Sequence, residues 1–143
     1  MLLAQIAFRL AEPSPAAVAT QLSPPPAVNS LRLAALGEPI GLAVALTLRL
    51  QAFDTQPGIS IPFRELDYPN VVRWLDRIAM LDPLSAYPLL LASQVYSQVP
   101  DDAKQRIILE FVFDKFREDP VRRWHWLAHA SIIAKHRLGD PQL

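Results

Sequence analysis

At 143 residues the chain is long enough for one domain that buries most of its apolar surface on folding. Its 14 Lys and Arg balance 14 Asp and Glu, so no global field draws it to nucleic acid or an anionic membrane, and such contacts would need a local patch. The lack of cysteine excludes disulfides, thiolate metal sites and cysteine nucleophiles, while leaving the compartment open.

Residues 1–28 are read as an N-terminal apolar helix followed by a proline-rich segment. Met1 to Leu10 is apolar but short, holds Arg9 within it and lacks a basic region ahead of a longer hydrophobic core, which argues against a signal peptide. Pro13, Pro15, Pro24, Pro25 and Pro26 stand among Ala, Ser and Thr, a composition that favours extended backbone and reads as a linker. A helical domain follows over 29–143, clearest over 67–143. Asn29 or Ser30 caps a short helix from Leu31 to Leu36, Gly37 ends it, and Glu38-Pro39 opens the next, over about 39 to 53. Leu42, Val44, Leu46, Leu48 and Leu50 alternate as in a strand, but the wealth of Ala and Leu favours a helix. Its stripe is Leu42, Leu46, Leu50 and Phe53, and Val44 with Leu48 form a second face, as in a helix packed on two sides. The uncharged run from Pro39 to Leu48 is ten residues, short of the roughly 20 that span a bilayer.

Pro57-Gly58 suits the centre of a type II turn, with extended backbone from Ile59 to Phe63. The loop at 54–66 is expected to be ordered by its own packing, with Ile59, Ile61 and Phe63 as core plugs. From Pro69 the periodicity is helical: Val71, Trp74, Leu75, Ile78 and Leu81 share half a wheel, opposite Asn70, Arg73, Asp76 and Arg77. Further helices are expected from Asp82-Pro83 to about Val99, from Pro100-Asp101-Asp102 to about Arg117, and from Asp119-Pro120 to Leu138. The third of these four, with Ile, Phe and Val around two thirds of its wheel, is expected to wedge between neighbours.

Asp82-Pro83 and Asp119-Pro120 stand 37 residues apart, each followed by an aromatic residue four places after its proline, Tyr87 and Trp124. Asp can cap the free N–H groups while Pro takes the first helical position, so the spacing predicts superposable helices with Tyr87 and Trp124 equivalently buried. A third Asp140-Pro141 follows Gly139, as if another helix were to start. Helix pairs of this length, each closing on an Asp-Pro step, resemble tetratricopeptide-type repeats, although the usual unit is 34 residues and 102–117 carries bulky side chains where the repeat has small ones. The resemblance implies an all-α fold of stacked antiparallel helix pairs in a TPR-like α-α superhelix, about six helices in all. It also implies a surface for a protein or peptide partner rather than a reaction centre. Leu66 to Leu138, with Gln56-Pro57-Gly58 ahead of it, resembles a group of uncharacterised bacterial proteins, some with an N-terminal membrane segment. That likeness implies a cytoplasmic or membrane-associated setting in a bacterium, membrane association through a segment outside this chain, and no activity.

Chemistry is sparse. His125, His129 and His136 fall within about 40° on a straight helix, beside Arg122. His125 and His129 are one turn apart, a metal-chelating spacing, but Trp126 follows His125 in place of the HExxH glutamate and no carboxylate shares the stripe. The expectation is therefore no metal, cofactor or catalytic residue. The stripe reads as a solvated face, Lys135, His136 and Arg137 suiting a helix C-terminus, and as a candidate contact for an anion or acidic partner. Trp124 and Trp126 beside Arg122 and Arg123 suggest stacking on single strands, yet their periodicity reads as packing, so no nucleic acid is expected. The serines lack a nucleophile elbow and no glycine-rich loop exists. Trp126, Ala130, Ile133 and Ala134 form a candidate docking end, open to self-association or a partner. The resulting expectation is a non-catalytic interaction module. The alternatives are a structural component of a membrane-associated bacterial assembly and, behind it, a metal-dependent enzyme.

Overall fold

The computed structural model describes residues 19–139, so Met1 to Leu10 and Asp140-Pro141 lie outside the described residues. Within that span the protein is all-α: α1 (Val28–Ala34), α2 (Pro39–Gln51), α3 (Tyr68–Leu81), α4 (Tyr87–Gln94), α5 (Asp102–Glu118) and α6 (Pro120–Ile133). A π turn over Ala134–Leu138 extends α6, and Gly139 follows in the left-handed region at φ 62°. Thr55–Gln56 and Ile59–Ser60 pair as a small antiparallel ribbon around Pro57-Gly58, with Gly58 at φ 77°. Positive φ at that place is what a type II turn requires.

α3 organises the rest. Tyr68, Val71, Trp74, Leu75, Ile78 and Leu81 are all buried, and α3 packs against α1, α2, α4 and α5. The expected charged face is correct for Arg73, Asp76 and Arg77 but not for Asn70, which is buried. Its amide donates to the Leu22 carbonyl at 3.0 Å and to Asp67 at 2.7 Å. Burial is tolerated because those donors are spent.

The same helix pins the described end of the proline-rich segment. The Trp74 indole donates to the Ser23 carbonyl at 2.8 Å, and the Thr20 backbone and the Gln56 side chain exchange two bonds of 2.9 Å. Arg49 from α2 lies over the Trp74 ring, 5.4 Å from its centroid. At the other end of α3 the Tyr68 hydroxyl donates to the Tyr96 carbonyl at 2.8 Å, and the two rings meet edge to face. Burial, aided by Asp101, pushes the Tyr68 phenol well above its ordinary range, so it stays a donor. Phe63 packs edge-on against Tyr96 and Ile61 is buried, so the loop at 54–66 is indeed ordered by packing.

The repeat is less regular than the spacing predicts. Asp101 caps α5 by accepting from the Lys104 N–H at 3.1 Å, and Asp119 caps α6 by accepting from Arg122 at 3.3 Å. Asp82 does not cap. Its carbonyl accepts from the Ser85 N–H in a turn, and α4 begins only at Tyr87, whose N–H donates to the Ser85 hydroxyl at 3.2 Å. α4 also ends early, at Gln94 rather than about Val99: the buried Ser93 and Ser97 hydroxyls donate to the Leu89 and Ser93 carbonyls, and the chain passes into a 3-10 turn. Such back-bonding competes with the helix ladder. Trp124 is 62% exposed and Tyr87 half-exposed, so the burial expected of both is not found.

Helix packing is nonetheless layered. Each helix packs against the next, and α1 with α3, α3 with α5 and α4 with α6 pack as next-but-one neighbours.

Two tryptophans now separate the core from the surface. Trp74→Ala is expected to cost about 3–5 kcal/mol, as large-to-small core changes do, while Trp124→Ala stays within about 0.5 kcal/mol. Urea unfolding of the two variants checks this, and a Trp124→Ala loss as large as that of Trp74→Ala would contradict the placement.

Candidate functional site

The pairing of helices leaves one slot, because α2 and α4 are next-but-one neighbours that do not pack closely. Between them lies a groove of about 270 Å³. Ala43, Thr47 and Ile78 contribute to its lining, with Val44 and Leu48 of α2, Tyr87 of α4, and Asp82 and Ser85 of the turn between α3 and α4. The Thr47 hydroxyl donates to the Ala43 carbonyl at 2.7 Å, so its donor is satisfied within α2. Among the lining side chains Asp82 alone carries a charge.

The walls are apolar because the second face of α2 is uncovered. The expectation that Val44 and Leu48 pack on a second side is corrected here: Val44 is 54% exposed, Leu48 61% and Ile40 58%. These three stand at i, i+4 and i+8, one continuous ridge. After the turn through Asp82 and Pro83, α4 begins only at Tyr87. Leu33 and Leu36 at the end of α1 and Leu84 in the turn are also exposed. A ridge of this kind on a small protein marks a docking surface more often than a chemical one.

A second, polar cleft of about 410 Å³ lies between α3 and α5. Three of its charged side chains, Asp76, Lys115 and Glu118, serve each other. Lys115, almost wholly buried, bonds Asp76 and Glu118 at 2.7 Å each. Arg123 donates to Glu118 at 2.9 Å, to the Lys115 carbonyl at 2.7 Å and to the Pro83 carbonyl at 3.3 Å. Burial alone would lower the Lys115 pKa, but the bonds to Asp76 and Glu118 outweigh it and hold it above the lysine range. For Glu118 burial pulls upward, and Lys115 and Arg123 together bring it below the carboxylate range. The network ties α3, α5, α6 and the Pro83 turn together, an architectural role.

The histidine stripe is distributed rather than focused. His125 is exposed, its ring 4.6 Å from that of Trp126; His129 is half-buried; and His136 is exposed within the π turn. The straight 100° count that grouped His136 with the others does not run through a π turn, which holds more residues per turn. Arg122 is committed to Asp119, which it holds below the carboxylate range by a side-chain hydrogen bond. Among the described residues no group of three or more His, Asp or Glu could hold a metal ion. The Nε1 of Trp126 and the Nε2 of His129 are buried without a hydrogen-bond partner.

Of the candidate docking end, Ala130, Ile133 and Ala134 are buried within the chain and Trp126 is half-buried, so these residues present no open face. The large apolar side chains exposed on α6 are instead Val121, Trp124 and Ile132.

No family model matches the chain, and no match is found among curated proteins or among solved structures.

The polar network yields a pH test. Glu118, with its pKa depressed, adds stability that is present above the ordinary carboxyl value near 4.3 and is lost as pH falls through the lower folded value. Lys115, with its pKa raised, adds stability that is present below about 10.4 and is lost as pH rises through the higher one. Lys115→Ala is expected to cost about 1–3 kcal/mol at pH 7, because buried acceptors lose their donor, and to flatten the decline below pH 4.3. Denaturant midpoints across pH check both; an unchanged acid limb would contradict the network.

Proposed function

We propose that this protein is a non-catalytic interaction module, and that its groove between α2 and α4 takes an apolar side of a helix or peptide. The observation that carries this reading is the exposed ridge of Ile40, Val44 and Leu48 beside the half-exposed Tyr87. An amphipathic helix laid in such a groove anchors with residues three and four apart, the spacing that the ridge itself offers. The packing of next-but-one helices supports a tetratricopeptide-like array, in which a slot between neighbouring helices serves a partner. No reaction chemistry is assigned; Asp76, Lys115 and Glu118 of the polar cleft and the neighbouring Arg123 are engaged with one another.

A second reading, a structural part of a membrane-associated assembly, has its own support. No single described helix is long and apolar enough to cross a membrane, but α1 and the stretch Pro39–Asp54 pass that test as a pair bent by 111°. Exposed Leu33 and Leu36 sit at that bend.

A fluorescein-labelled amphipathic peptide with leucines four apart, followed by anisotropy, separates the two. The interaction reading expects binding that Val44→Asp or Leu48→Asp weakens at least tenfold, about 1.4 kcal/mol, while stability changes by no more than about 0.5 kcal/mol at these exposed sites. Peptide binding indifferent to both variants, with sedimentation on phosphatidylglycerol vesicles that Leu36→Asp abolishes, would favour the membrane reading instead.

A further inference from the structure

The exposed ridge of α2 is bounded by two charges of opposite sign. No residue between Glu38 and Arg49 is charged, and Ile40, Val44 and Leu48 form the exposed apolar line within that run. Glu38 and Arg49 are both exposed, and their separation of eleven residues is about 20° past three full turns, so they share one edge of the helix. Among the described residues neither side chain makes an ion pair or a hydrogen bond, and the Arg49 guanidinium lies over the Trp74 ring without one.

These positions are self-complementary when one α2 is laid antiparallel on another. Glu38 lies six residues before Val44 and Arg49 five after it, about 9 Å and 7.5 Å along the axis. A two-fold axis at Val44 therefore brings Glu38 of each copy to within about 2 Å of the level of Arg49 of the other, and sets Ile40 level with Leu48. Helices packed about 8–10 Å apart leave a gap that two long side chains bridge. A parallel pairing would instead set Glu38 beside Glu38 and Arg49 beside Arg49. Room for the opposing ridge exists, since Gly41 and Ala45 are exposed beside it. No atom outside its own helical turn lies within 4 Å of where a Cβ of Gly41 would stand, so the bare backbone there serves no contact inside the chain and admits a second helix closely. Val44 and Leu48 also line the α2–α4 groove, so the same contact draws on it.

We infer that the partner of this groove is a second copy of the chain, docked through an antiparallel pair of α2 helices with two Glu38–Arg49 ion pairs. This rests on the interaction reading above and names its partner. A helix of 13 residues is about 20 Å long, and a contact built on it is smaller than the roughly 800 Å² per partner of a standard interface. The expected dissociation constant is therefore in the range of about 10–100 μM.

Sedimentation equilibrium of the full chain between about 5 and 500 μM spans that range. The mass is expected to rise from the 16.0 kDa of one chain toward twice that value. Val44→Asp is expected to raise the dissociation constant at least tenfold, about 1.4 kcal/mol. Glu38→Arg and Arg49→Glu are each expected to weaken self-association, because like charges then meet twice, whereas an equimolar mixture of the two restores it as a heterodimer with both pairs matched. Val44→Asp touches neither charge nor Trp74, so its result stands even if loss of the Arg49 contact loosens the fold. Self-association unchanged by Val44→Asp, or a mixture no tighter than either charge variant alone, would overturn the antiparallel α2 pairing. A mass that stays at one chain throughout, with labelled-peptide binding that still depends on Val44, would overturn the second copy as partner and leave the interaction module standing. Neither self-association nor peptide binding would overturn both.

Discussion

Burial of one side of a single helix, α3, constrains the rest of this structure. α3 has Tyr68, Val71, Trp74, Leu75, Ile78 and Leu81 removed from water, and four of the other helices take their places against it. Three polar side chains on its buried side are matched. The Tyr68 hydroxyl has the Tyr96 carbonyl, the Trp74 indole has the Ser23 carbonyl, and Asn70 has Leu22 and Asp67. An unmatched group there would cost about 1–3 kcal/mol, comparable to what a whole hydrophobic side chain contributes. The three long-range bonds fix which segments meet α3, and through them the chain from Thr20 onward.

The surface feature that invites function follows from that arrangement. α2 must turn Ala43, Leu46 and Leu50 toward α3, so Ile40, Val44 and Leu48 face away. The turn at Asp82 is closed by the Ser85 N–H, and the Arg123 bond to the Pro83 carbonyl ties it to α6. The turn takes part in both features: Arg123 of α6 donates to the Pro83 carbonyl, and Asp82 and Ser85 line the groove.

Much of this was legible in the residues. The buried side of α3 was correctly read from its 3.6-residue period, and the caps at Asp101 and Asp119 stood out because Asp precedes a helix-forming run. The same dipeptide misled at Asp82-Pro83, since Asp-Pro opens a turn as readily as a helix and only the tertiary partners decide. Val44 and Leu48 looked like a second packing face because an apolar wheel reports the lack of polar groups, not the presence of a neighbour. The groove could not be read at all: its walls come from residues 43–48 and 78–87, brought together by packing rather than by any motif. His136 was grouped with His125 and His129 on the assumption of a straight helix, which the π turn at Ala134–Leu138 interrupts.

Native-state hydrogen exchange tests the central place of α3 most directly. If the four helices packed against it are positioned by it, its amides from Val71 to Leu81 open only with global unfolding, and their exchange free energies match the denaturant value. The amides of α1 and of the ribbon at 55–60 exchange at lower free energies. Exchange of α3 through a local opening, while α5 and α6 remain protected, would contradict the account.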